Sequence, residues 1–150
     1  MVSVRIYLDS NVFISLVRDE IDMAFNLRGK DSEIFFALCA EKKCSIILSQ
    51  AFSDEIKKVV CIERSDVTEM LKQLSVNYEE ISIKAENERV SEIIFNKNIH
   101  YSDAVHTALA IKSNCNLIIS WNKKDFVKVA GLIECQTPTE FIDKIIRHIS

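Results

Sequence analysis

The sequence predicts an α/β fold, a parallel sheet covered by helices, on three observations. Short β-branched runs alternate with longer segments of helical period along the whole chain, as strands joined by helical crossovers do. Glycine and proline number only 2 and 1, where average usage is about 7% and about 5%, which disfavours turn-dense sandwiches and glycine-cradle nucleotide sites. A chain of 150 residues, 48% hydrophobic and 27% charged, can bury one sizeable core and is too short for two. Wholesale disorder is therefore disfavoured, and a single domain over residues 1–150 is expected.

Taken in order, residues 4–8 read as a strand that runs into Asp9-Ser10-Asn11 and a helix over 11–17. The region of Gly29 reads as a loop-like break. A helix over 32–41, a strand over 44–48, and helices over 50–60 and 65–74 follow, each assigned from its apolar period. A weaker strand is expected at 80–83 and a helix at 84–97. Ser102 is a plausible N-cap for a helix over 102–113. Residues 116–120 form a strand, 123–129 a short helix and 132–135 a last strand. The helix over 138–149 starts on Pro138, which lacks only a donor that would be orphaned there in any case.

Net charge is −3, from 19 basic and 22 acidic residues, which argues against binding nucleic acid by phosphate neutralisation alone. It does not argue against a nuclease that meets phosphate through bound cations. The cysteines, Cys39, Cys44, Cys61, Cys115 and Cys135, are odd in number and lack C-x-x-C spacing, so neither a disulfide framework nor a zinc knot is expected. With no basic-then-apolar leader and no uncharged apolar stretch near 18 residues, neither secretion nor membrane spanning is indicated. The expectation is a cytoplasmic protein with reduced thiols.

In open α/β sheets ligands gather beyond the carboxyl ends of the strands, and four acids are candidates there. Asp9 follows the first strand, where a plain helix N-cap is the competing reading. On a wheel of about 100° per residue Glu55 lies at the edge of the arc made by Phe52, Ile56, Val59 and Val60, while Asp54 falls on the opposite, solvated side. A snorkelling glutamate is the alternative for Glu55. Asp103 opens an almost wholly apolar helix and shares a narrow, small-sided face with Thr107 and Ala110; an acid favoured by the helix dipole is the alternative. Asp125 follows the fourth strand with Ser120 and Asn122, and could cap the next helix instead. One parallel sheet would bring all four acids to the same edge. Two unit charges about 4 Å apart repel by about 4 kcal/mol at an effective dielectric of about 20, so such a cluster needs protons or cations. Oxygen ligands without thiolate or paired-histidine spacing favour Mg²⁺ or Mn²⁺ over zinc.

These residues resemble the PIN-domain ribonucleases, which include the VapC-type toxins. The resemblance rests on LDSNVFI at residues 8–14, on Glu55 in the helix after the second strand, on SDAVHTALAI at 102–111 and on SWNKKDF at 120–126. It implies a five-stranded parallel sheet flanked by helices, with Asp9, Glu55, Asp103 and Asp125 forming a divalent-metal site for RNA phosphodiester hydrolysis, supported by Asn11, Ser120 and Asn122. It also implies a homodimer and, for toxin members, a small antitoxin whose segment enters the groove. Trp121 departs from the small or basic residue frequent at its position, and is read as core packing ahead of a base-stacking platform. His106 lies one position off the Asp103 face and is read as a hydrogen-bonded helix histidine ahead of a general base. Lys123 and Lys124 are read as solvated surface ahead of phosphate contacts.

Two rivals remain open. A phosphatase of the haloacid dehalogenase class also places an Asp after its first strand, but its D-x-D pattern becomes Asp9-Ser10-Asn11 here, and an amide cannot supply the carboxyl proton. A non-catalytic module that keeps the fold and binds protein or RNA is the other; the presence of all four acids argues against it.

Overall fold

The computed structural model describes residues 3–21 and 27–149. Its elements are β1 (Arg5–Leu8), α1 (Ser10–Arg18), α2 (Arg28–Glu41), β2 (Ser45–Leu48), α3 (Gln50–Val60), α4 (Arg64–Gln73), β3 (Asn77–Glu80), α5 (Asn87–Lys97), α6 (Tyr101–Lys112), β4 (Leu117–Ile119), α7 (Lys123–Phe126) with a 3₁₀ turn over Val127–Val129, β5 (Glu134–Gln136) and α8 (Pro138–Ile149). The five strands form one sheet in the order β3-β2-β1-β4-β5, and every pairing is parallel. The α/β fold with a five-stranded parallel sheet flanked by helices is therefore present as expected.

Strand periodicity decides which side chains meet which helices. Along β1, Ile6 and Leu8 join the cluster that contains Val12, Phe13, Phe35, Phe36, Phe52, Leu71 and Phe141. Tyr7, between them, faces the opposite cluster with Ile93, Ala104, Ala108, Ile118 and Phe126. Adjacent side chains on a strand point to opposite faces, so β1 is clothed on both sides by helices. Edge-to-face ring pairs lock the first face, Phe13 on Phe52 at 6.1 Å and Phe35 on Phe141 at 5.2 Å between centroids, each worth about 0.5–1.5 kcal/mol beyond area burial.

The topology sets the site. From β1 the chain moves outward to β2 and β3, then crosses back to β4 on the other side of β1. At such a switch point the loops leave in opposite directions and a crevice opens beyond the carboxyl ends. Asp9 stands there after β1, and Ser120 after β4.

Several boundaries differ from expectation. Gly29 is not a loop break but lies in the first turn of α2, buried against the end of α1. The third strand is Asn77–Glu80, earlier than expected, and the fifth is Glu134–Gln136, later than expected. Ser102 is not the cap of α6; His100 holds that position, and its side chain makes no capping bond.

Candidate active site

Asp9 is the N-cap residue of α1, yet its carboxylate caps nothing. Instead Oδ2 accepts a 2.6 Å hydrogen bond from Ser120 Oγ. That hydroxyl in turn accepts from Asn11 Nδ2 at 3.1 Å and from the Asn122 amide at 3.0 Å. Asn11 Oδ1 also receives the Trp121 amide. The three polar residues expected beside the acids thus converge on Asp9, Asn122 through its backbone. All of them hold a buried carboxylate that a plain cap reading leaves unexplained.

Glu55 approaches from α3, where the helix is fixed by Ser49 accepting from the Phe52 amide and by burial of Phe52 and Ile56. Its Oε2 accepts from Ser10 Oγ at 2.5 Å and its Oε1 lies 2.7 Å from His106 Nε2. Asp54, next to it, is exposed and bonds Gln50 within its own helix. Ligand-type atoms of Asp9, Glu55 and His106 all fall within 4.8 Å of one another. His106 is 2% exposed, and its Nδ1 meets the Tyr7 hydroxyl at 2.5 Å, which meets Ser49 Oγ at 2.8 Å.

The electrostatics follow from this crowding. Burial raises the Glu55 carboxyl, but the His106 hydrogen bond and charge, with Ser10, outweigh it and hold the group below its ordinary value. Burial would lower His106; the Glu55 hydrogen bond and the charges of Asp9, Glu55 and Asp103 raise it instead. Asp103 is half-buried in the first turn of α6, and burial followed by repulsion from Asp9 and Asp125 pushes its carboxyl up. Tyr7 is pushed far above the usual phenol range, chiefly by burial. Asp125 lies in the first turn of α7 and acts on Asp103 as a like charge.

Asp9 and Glu55 thus come together at this lip of the sheet, each in contact with donors, while Asp103 and Asp125 are linked to the site through like-charge repulsion alone. What sequence reasoning missed is the support of Glu55 by Ser10 and by Tyr7 through His106. A tyrosine inside an apolar strand was the signal for it, but its partner sits 99 positions away. Trp121 packs as expected: its indole N–H donates to Ser15 and the Arg28 guanidinium lies 5.2 Å over the ring, so that face is covered. Lys123 is paired with Glu140 and Lys124 is exposed. The carboxylate oxygens match a hard divalent cation, whose charge would relieve the repulsion that raises Asp103. The imidazole is already engaged through both nitrogens.

A search of curated protein sequences finds no match to the chain. Solved structures share its fold at low identity. A toxin-antitoxin complex from Klebsiella pneumoniae matches at 20% identity and a TM-score of 0.55, over 88% of this chain and 96% of that one. VapBC-1 from nontypeable Haemophilus influenzae matches at 16% and 0.58, over 90% and 98%. VapBC2 from Rickettsia felis, bound to a DNA fragment from their promoter, matches at 14% and 0.58, over 89% and 98%. The family profile of the PIN domain covers residues 5–124, from the first strand to the start of α7. With that span and this lip of acids, the chain belongs to the PIN-domain family.

Proposed function

We propose that this chain is a divalent-metal-dependent endoribonuclease, the toxin of a toxin–antitoxin pair, that hydrolyses RNA phosphodiester bonds in the cytoplasm as a homodimer. The observation that carries the reading is the meeting of Asp9 and Glu55 within reach of one ion while Asp9 and Asp125 together repel Asp103. A structural neighbour that is itself a toxin-antitoxin complex supports the toxin assignment and a small protein antitoxin as partner. Among the described residues no helix is long and apolar enough to cross a membrane.

Asp9, Glu55, Asp103 and Asp125 would hold Mg²⁺ or Mn²⁺, which when bound acidifies water and stabilises charge on phosphate. The chain's own contribution is positioning. Ser120 and Asn11 fix the Asp9 carboxylate, Ser10 and His106 fix that of Glu55, and Asp103, whose carboxyl is raised by burial and by the charges of Asp9 and Asp125, is the acid that a balancing positive charge relieves. Groups held in this way lose no freedom when substrate arrives.

Asp9→Asn preserves shape and removes one charge. Cleavage of a structured RNA with Mn²⁺ should fall by more than about 100-fold, beyond the 10–100-fold usual for residues that only support a ligand. Cleavage at the wild-type rate would refute the assigned chemistry. Absence of saturable Mn²⁺ binding by the wild type would instead favour a non-catalytic module.

A further inference from the structure

We infer that His106 is the positioning residue for the Glu55 carboxylate, fixed by a chain of hydrogen bonds that leaves α3 at its N-cap, Ser49, and returns to α3 six residues on. The inference rests on the nuclease reading only in taking Glu55 as a cation ligand.

The donors can be placed by requiring that each find an acceptor. Ser49 Oγ, 1% exposed, already accepts from the Phe52 amide. If Tyr7 donated to it, the Ser49 proton would have no acceptor in the bonds described around it, and an unmade buried donor costs about 1–3 kcal/mol. The satisfied arrangement has Ser49 donating to Tyr7 and Tyr7 donating to His106 Nδ1. A lone pair on Nδ1 obliges the neutral ring to carry its proton on Nε2, where it donates to Glu55 Oε1 at 2.7 Å. Were the ring to gain a second proton, Nε2 would still donate, so the hold on Glu55 does not depend on protonation.

This chain of bonds ties three elements, β1, α3 and α6, to one carboxylate. It also divides the work on Glu55: His106 takes Oε1 and Ser10 takes Oε2. Each oxygen keeps a further lone pair for a cation shared with Asp9. His106 is accordingly placed to orient a ligand and not to be one, since its Nε2 points a proton, not a lone pair, at its neighbour.

The side-chain amide nitrogen of Gln reaches the place of Nε2, whereas that of Asn reaches the place of Nδ1. Mn²⁺ binding to the RNA-free chain, measured by calorimetry, should weaken by about 10–100-fold in His106→Asn and be largely restored in His106→Gln. Tyr7→Phe keeps the buried ring and should weaken binding less than His106→Asn does; it provides a readout if the histidine variants fail to fold. Equal loss in His106→Gln and His106→Asn, or wild-type affinity in His106→Asn or Tyr7→Phe, would overturn the inference. Wild-type binding without RNA cleavage, with the Gln-over-Asn order intact, would sink the nuclease reading and keep this one. Cleavage by the wild type with unchanged Mn²⁺ affinity in the variants would do the reverse.

Discussion

Asp19, Lys43, Cys61, Ser75, Asn98 and Asn114 each take a positive φ between 50° and 60°, and each follows one of the helices α1 to α6. Left-handed backbone is costly for residues with a Cβ, by about 1–2 kcal/mol, and glycine is the usual terminator. This chain stops six helices without one, which is how so low a glycine content coexists with so many turns. Lys43→Gly, at an exposed position, should therefore stabilise the protein by about 0.5–1 kcal/mol in urea unfolding. Gly29 answers a different need. A Cβ there would lie 2.6 Å from Asp19 Cα and 2.7 Å from its Oδ1, so Gly29→Ala should destabilise by about 1–3 kcal/mol through overpacking. From sequence alone Gly29 reads as a break because a glycine signals freedom and close approach alike, and only packing tells them apart.

Helix α8 is held at its start by a reciprocal pair: the Glu140 amide donates to Thr137 Oγ1 at 3.1 Å, and the Thr137 amide to Glu140 Oε1 at 3.0 Å. Lys123 binds the same carboxylate from α7. Thr137→Ala should cost about 1 kcal/mol in urea unfolding. Burial raises the Glu140 carboxyl, but Lys123 and Thr137 outweigh it and the group sits below its ordinary value. Its contribution is then complete above the unfolded carboxyl's pKa, about 4.3, and fades as pH falls through the folded value. Glu140→Gln should flatten that acid limb of a stability-versus-pH curve. Helices α3 and α8 were legible to the residue because apolar period and start signal coincide there. Strand β3 was not: it is an edge strand with largely exposed side chains, and so carries little apolar signature.

Across the whole molecule, the order of acids along the chain was legible, while their spacing was not, because it depends on β4 crossing back beside β1. Asp103 is the residue on which that convergence weighs most. Its raised carboxyl means that ionisation costs stability as pH climbs past the ordinary aspartate range. Asp103→Asn should therefore raise the melting temperature in chelator, while the stabilisation that Mn²⁺ gives the wild type, about 2.7 kcal/mol at a hundredfold excess over Kd, should shrink in the variant. Equal Mn²⁺ stabilisation of both would detach Asp103 from the cluster. The bond from Ser120 to Asp9 joins residues 111 positions apart, and Asp125 lies later still. A nascent chain from which the segment from Leu117 onward has not yet emerged lacks the hydroxyl that orients the Asp9 carboxylate, so this constellation closes only after β4 has docked beside β1.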